Sequence, residues 1–353
     1  MKNRFDTTRR GVLKLAGGLA VAGAFPATVF GQTKRIVVAD PGGPYTAAYR
    51  KAFYDPFEKA TGIRVVNVAR ESQPVAQFTA MVKTKNFVWD VTTLTVAQDI
   101  PILDEAGLLE PLGLTVSEFP NMLAESVAPN FLGVDVYSTV LAYRTDKYAK
   151  NAPSTWADFW NVEKFPGRRS LRRNAIDTLE QALMADGVSI DKLYPLDLDR
   201  AFKSLDRIKP HVAVWWTSGA QAMQLIQSGE VDMISTWNGR AQTAIEGGAP
   251  VAISWNQGLY SIEGWGVPKG TPRAEEAKLF VKFCGDAARQ AAFTDTLAYG
   301  PTNFNAYQTI PAKRAAILPT YAANLKLMRA PNVQWWHKNR NLASDRFNAW
   351  LLS

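Results

Sequence analysis

Apolar positions in this chain recur with two different periods, and the two periods alternate. Arg35–Ala39 is a short apolar run closed by Asp40-Pro41-Gly42-Gly43-Pro44, which reads as a strand entering a turn-rich loop. From Tyr45 to Thr61 the pattern places Tyr49, Phe53, Phe57 and Ala60 on one face, and Gly62 follows. That spacing predicts a helix with a glycine C-terminal cap. Ile63–Val68 reads as a second strand, Pro74–Lys85 as a helix and Val88–Thr93 as a third strand. A further helix runs to Ala106 and stops at Gly107.

The alternation restarts after Val134–Tyr143. Arg169–Leu171, His211–Trp215, Asp232–Trp237, Val251–Trp255 and Gly264–Val267 read as strands, with helices between them and a helix over Arg273–Cys284. Ser218-Gly219-Ala220-Gln221 has the Ser-x-x-Gln spacing of a capping box, so a helix is predicted to start there. Strands alternating with helices predict an α/β fold of mostly parallel sheets with flanking helices. No Pro/Gly-rich linker or tandem repeat separates the two series. Two α/β lobes are therefore expected, with the chain crossing between them more than once and a ligand cleft between them.

Composition narrows this picture. The 353 residues are 47% hydrophobic and 20% charged, values of a folded globular chain with room for large cores. The lone Cys284 allows no intrachain disulfide, and His211 and His337 leave little room for a histidine-built metal site. The net charge of +8 is concentrated at the start: residues 1–31 hold half of it. The longest basic cluster, Arg168-Arg169-Ser170-Leu171-Arg172-Arg173, is too short for a nucleic-acid stripe, so no nucleic-acid partner is expected.

Residues 1–31 read as an export signal. Thr8-Arg9-Arg10-Gly11-Val12-Leu13-Lys14 is similar to the twin-arginine motif, and a mild apolar stretch from Leu15 to Phe25 follows, broken by Pro26. Val29-Phe30-Gly31 offers small or short residues at the positions a signal peptidase reads. The apolar run is shorter than the roughly 20 residues of a membrane span. The mature chain is therefore expected in the periplasm.

Catalytic chemistry finds no motif. The sequence has no Walker A pattern, no G-x-G-x-x-G after a strand, no G-x-S-x-G elbow and no H-E-x-x-H. His211 and His337 read as structural, and Cys284 as a buried small residue beside Phe280 and Phe283. No enzymatic activity and no cofactor are expected. Aromatic residues at strand ends carry more information: Trp215-Trp216, Trp237, Trp255, Trp265 and Tyr299. Such rings pack domain cores, and at the edge of a cleft they also accept a cation or an alkyl chain. Glu263, just before a strand, is placed to pair with an amine.

Ordered landmarks now point to one family. They are Phe57-Glu58-Lys59-Ala60-Thr61-Gly62-Ile63-Arg64-Val65, Trp89-Asp90-Val91, Glu105-Ala106-Gly107-Leu108-Leu109 and Pro153-Ser154-Thr155-Trp156-Ala157-Asp158-Phe159-Trp160. Gly229-Glu230-Val231-Asp232, Trp237-Asn238-Gly239 and Gly264-Trp265-Gly266-Val267-Pro268 continue the series. The chain resembles the periplasmic solute-binding proteins of ABC importers, in the spermidine- and putrescine-binding branch. The resemblance implies a two-lobed periplasmic-binding-protein fold with crossings near Leu141–Arg144 and Tyr260–Glu263 and a return near Asn305–Tyr307. Lobe 1 is then residues 32–143 and 263–306, and lobe 2 is residues 144–262 and 307–353. It further implies a monomer that closes on a small solute and delivers it to a membrane permease. By that resemblance Trp237 packs on the ligand, Glu263 grips an amine, Tyr299 and Tyr45 line the cleft, with Tyr49 nearby, and Thr217 and Ser218 touch the ligand from lobe 2.

Departures from the branch redirect the expected ligand. Arg172 and Arg173 stand where polyamine binders carry carboxylates, and Thr95-Val96-Ala97 and Ser261 replace expected aromatics. Arginine there attracts a carboxylate or phosphate. The expected solute contains an amine held by Glu263 and an acid group held by Arg173. A carboxylate or phosphorylated solute, thiamine-like or opine-like, is the alternative, and an exported enzyme a more distant one. With no Tyr-Tyr pair in the sequence, ferric ion is not expected.

Overall fold

The computed structural model describes residues 34–71 and 73–353. The export signal read at residues 1–31 lies outside the described residues. Ten strands form one sheet: β1 (Arg35–Asp40), β2 (Arg64–Ala69), β3 (Val91–Thr95), β4 (Val127–Ala128), β5 (Phe131–Arg144), β6 (Arg169–Arg172), β7 (Val212–Trp216), β8 (Met233–Trp237), β9 (Val251–Gly266) and β10 (Gly300–Pro301). Their order is β2-β1-β3-β9-β5-β8-β6-β7, with β4 and β10 pairing β5 off this path.

The parallel pairing expected from the alternation holds at both ends of this order. β1 pairs β2 and β3 in parallel, and β6 pairs β7 and β8 in parallel. The centre is antiparallel, because the long strands β5 and β9 run through it against β3, β8 and each other. The two strands predicted at Val251–Trp255 and Gly264–Val267 are one strand of 16 residues. Asn256-Gln257-Gly258 interrupts the apolar pattern and hid this continuity from the sequence. There Gln257 adopts φ 60°, and its side-chain oxygen and carbonyl oxygen accept the backbone and indole N–H of Trp156, at 2.9 and 3.0 Å.

The helix expected from Tyr45 to Thr61 contains a π-helical turn at Arg50–Tyr54 between two α-helical pieces. The wider turn rotates the apolar face. Tyr49, Phe53, Tyr54 and Phe57 are all fully buried, while Ala60 falls on the exposed side, contrary to the simple period. Gly62 caps the helix at φ 72°, a left-handed conformation that glycine enters without steric cost. These rings pack with Trp265, Phe280 and Phe293 in a core beside β1–β3. A second core beside β6 and β8 gathers Trp156, Leu171, Leu179, Leu205, Met233, Trp336 and Phe347. Cys284 is buried in the first core.

Candidate ligand-binding site

A cavity of about 330 Å³ opens at the C-terminal ends of the parallel strands. Loops that follow parallel strands converge on one edge, and here each contributes. Pro41 comes after β1, Arg70 after β2, Thr95 and Asp99 from the end of β3, Arg172 from β6, Thr217 and Ser218 after β7, and Trp237 from β8. The antiparallel centre adds Tyr137 from β5 and Glu263 from β9.

Six of the seven residues singled out from the sequence line this cavity: Tyr45, Thr217, Ser218, Trp237, Glu263 and Tyr299. The seventh does not. Arg173 is exposed and outside the lining, and Arg172 takes the place expected for it. Adjacent residues of a strand point to opposite sides, so only one of two neighbouring arginines faces the cleft. Arg172 Nη1 donates to Asp177 Oδ2 at 3.3 Å, and its guanidinium carbon lies 5.0 Å from the centre of the Trp237 ring. Asp177 adopts φ 72° and also accepts from Thr139 Oγ1 at 2.9 Å. A non-glycine residue in that conformation is strained, and such strain gathers at functional sites.

Other strand-end aromatics serve the cores. Trp265 packs tilted or edge-on against Tyr49, Phe53 and Phe280, Trp215 lies against Phe347 and Trp350, and Tyr49 donates to Asp135 at 3.0 Å. None of these three lines the cavity.

The Trp237-Asn238-Gly239 motif has one task per residue. Trp237 presents its ring to the cavity. Asn238 is buried, accepts from the Ser138 backbone N–H at 2.9 Å and donates to the Ala298 carbonyl at 2.6 Å, tying the helix start to β5 and to the Tyr299 loop. At Gly239 a Cβ would meet the Tyr299 ring at 2.5 Å, so only glycine lets that ring settle against the helix. Ser218 caps its helix as expected, its Oγ accepting the Gln221 N–H at 3.2 Å. The Gln221 side chain instead accepts from Thr217 N at 2.9 Å, one residue earlier than a capping box requires.

Charge in the site is paired across long sequence separations. Arg70 Nη2 lies 3.3 Å from Glu263 Oε1, and both side chains are 5% exposed. Burial raises the Glu263 carboxyl above its usual range, and Arg70 opposes that rise. Asp99 is also raised by burial, against hydrogen bonds from Thr95 N at 2.8 Å and Thr95 Oγ1 at 3.0 Å. Tyr45 is raised by burial and by the Glu263 charge, and burial pushes Tyr299 up to about 12. Both phenols are thus neutral donors at neutral pH, with ring centres 5.6 Å apart.

Arg70, Asp99, Tyr137 and Arg240 line the cavity without having been read from the sequence. Arg70 and Arg240 stand one and three residues beyond strand ends, the position that singled out Trp237. Tyr137 sits in the middle of β5, away from the strand ends that singled out the other residues. Arg240 holds a buried Nε, and Trp237 a buried Nε1, that have no hydrogen-bond partner among the described residues. Both are hydrogen-bond donors on residues that line the cavity. Among the described residues, no cluster of His, Cys, Asp and Glu is arranged to hold a metal ion. No helix among them is long and apolar enough to cross a membrane.

Comparison with known proteins shows the family. The model of a family described as bacterial extracellular solute-binding protein matches residues 52–320. The gamma-aminobutyric acid-binding protein of Pseudomonas aeruginosa is 36% identical over 337 residues, covering 93% of this chain and 94% of that protein. The spermidine/putrescine-binding periplasmic protein of Escherichia coli is 24% identical over 266 residues, covering 71% and 74%. The crystal structure of an ABC transporter substrate-binding protein from Bradyrhizobium japonicum USDA 110 superposes with a TM-score of 0.84 at 40% identity, covering 90% of this chain and 99% of that one.

Proposed function

The chain belongs to the bacterial extracellular solute-binding proteins, and from that membership we propose that it captures a small amino-acid-like zwitterion of the γ-aminobutyrate kind. It works in the periplasm as a monomer and hands the solute to an ABC permease. Residues 32–143 and 263–306 form one lobe, and residues 144–262 and 307–353 the other. Hinge closure brings the lobes together on the ligand, which stabilises the closed state by touching both walls.

The observation that carries this reading is the opposition of charge across the cavity. Asp99 and Glu263 stand on the wall built from β3 and β9, beside the neutral phenol of Tyr45, with Arg70 paired to Glu263. Arg172 and Arg240 stand on the wall built around β6 and β8. The carboxylates and the phenol suit an ammonium group, and the guanidinium groups suit a carboxylate in forked geometry. Trp237, Tyr137 and Tyr299 flank the space between them and suit a short alkyl chain. A polyamine brings a second cation to the arginine wall, where like charges repel. The relative that binds gamma-aminobutyric acid matches at 36%, and the polyamine-binding relative at 24%.

The test is calorimetric titration of residues 32–353 with γ-aminobutyrate, putrescine and butyrate. γ-Aminobutyrate is expected to bind. Putrescine carries a second ammonium where γ-aminobutyrate has its carboxylate, and butyrate lacks the ammonium, so each leaves buried charge uncompensated and is expected to be weaker by about 30-fold or more. Equal affinity for putrescine would replace the zwitterion with a polyamine. Equal affinity for butyrate would remove the amine-binding role of Glu263 and Asp99.

A further inference from the structure

The last helix, Val333–Leu352, joins two parts of the fold that the sheet keeps apart. Its inner face belongs to the core beside β6 and β8, where Trp336, Ala343 and Phe347 are buried with Leu171, Leu179 and Leu205. The Trp336 indole N–H donates to Glu180 Oε1 at 2.6 Å and fixes that root. One turn further on, the helix reaches the segment between β3 and the helix Ile100–Glu105. Arg340 Nη2 donates to the Ala97 carbonyl at 2.9 Å, and His337 Nε2 lies 3.0 Å from Glu105 Oε2. In the sheet, β3 and β6 are separated by β9, β5 and β8. The helix therefore spans from one half of the molecule to the other without passing through the sheet.

The gripped segment belongs to the ligand wall. Ala97 immediately precedes Gln98 and Asp99, and both of these line the cavity. Arg340 and His337 do not line it. The junction is polar and unsaturated: Arg340 Nε and His337 Nδ1 are buried with no partner among the described residues. The inner face of the helix is an apolar interlock, whereas this outer contact rests on one hydrogen bond and one exchangeable pair.

We propose that the helix Val333–Leu352 is a strap from the core beside β6 and β8 to the segment after β3, and that Arg340 is a positioning residue, holding residues 97–99 where Gln98 and Asp99 meet the solute. The proposal rests on the reading of the cavity as a solute site. Whatever the strap adds to the closed arrangement adds to ligand affinity, because affinity scales with the population of the competent state.

The experiment compares wild type with Arg340→Met and Arg340→Lys in the whole exported protein. Amide hydrogen exchange is followed without ligand, and the dissociation constant is measured with γ-aminobutyrate as the probe. Arg340→Met is expected to speed exchange at residues 96–105 and to weaken γ-aminobutyrate binding, each by roughly tenfold. β6 and β7 are expected to exchange at the wild-type rate. Arg340→Lys, which still donates to the Ala97 carbonyl, is expected to restore most of both effects. Arg340→Met that exchanges and binds like wild type overturns the proposal. Faster exchange with unchanged affinity overturns the positioning role. Wild type that takes up no γ-aminobutyrate, with exchange at 96–105 still dependent on Arg340, overturns the solute named above and supports the strap.

Discussion

Glu263 and Asp135 are direct cross-strand partners on β9 and β5, and both side chains are buried. Two carboxylates so placed do not both ionise at neutral pH. Their surroundings differ. Glu263 faces Arg70, whereas Asp135 has the Tyr49 hydroxyl on one oxygen and no partner on the other. Burial, and then the Glu263 charge, push Asp135 well above the usual carboxylate range. Burial raises both carboxyls, and the cationic partner of Glu263 favours the proton on Asp135 and the negative charge on Glu263.

Substitution of the two acids should accordingly give unequal results. Asp135→Asn replaces a neutral acid by a neutral amide of the same shape and should change unfolding free energy by less than about 1 kcal/mol at pH 7. Glu263→Gln leaves the Arg70 guanidinium buried without its counter-charge and should cost about 3–5 kcal/mol. Urea denaturation of both variants decides it. A severe loss from Asp135→Asn, or a mild one from Glu263→Gln, would reverse the assignment.

The two neighbouring arginines should separate cleanly. Arg172→Gln should weaken γ-aminobutyrate binding by about 30-fold or more, since it removes a carboxylate partner and frees Asp177. Arg173→Ala should bind like wild type, because Arg173 is exposed and outside the cavity. Titration calorimetry on the pair measures this. Equal loss from both would mean that Arg173 turns inward in solution.

Gly239→Ala tests the seat of Tyr299. The added Cβ would come 2.5 Å from that ring, so the ring must move toward the ligand space. Overpacking of this kind costs about 1–3 kcal/mol of stability. Ligand affinity should fall as well, whereas an exposed substitution such as Ala323→Ser should leave both unchanged. Retained affinity in Gly239→Ala, by the same titration, would show that the ligand does not sense Tyr299.

Stability should decline with rising pH through one buried acid. Glu180 accepts from Tyr194 at 2.5 Å and Trp336 at 2.6 Å, and burial followed by the Asp177 charge raises it from 4.5 to about 7. The folded state thus keeps a proton that the unfolded state releases. Its contribution is fully present below pH 4.5 and is lost as pH rises through 7, with a ceiling of about 3 kcal/mol. Glu180→Gln, neutral at every pH, should flatten the fall in unfolding free energy between pH 5 and pH 8. An identical slope in the variant and wild type would remove Glu180 as its source.

Much of the site was legible because strand ends are legible. The apolar alternation located the end of β8 and came within two residues of the ends of β1, β3 and β7, and residues just past such ends converge in parallel topologies. Trp237, Tyr299 and Glu263 were read from their places beside strand ends, and the family resemblance added Tyr45, Thr217 and Ser218. What escaped was of three kinds. Arg172 was displaced by its neighbour, because the sequence gives no phase for a four-residue strand. Tyr137 was concealed in the middle of a long strand, far from either end. Arg70 finds Glu263 193 residues away, through an order of strands that does not follow the order of the chain.

Local pattern therefore determined which residues stand at element ends, since helix and strand periods and glycine stops act over a few residues. The tertiary structure alone decided which side chains share one cavity and which carboxylate keeps its charge. It also brought the last helix of the chain against the segment after β3. These outcomes depend on burial and on pairing between distant strands, and neither exists until the sheet has closed around β5 and β9.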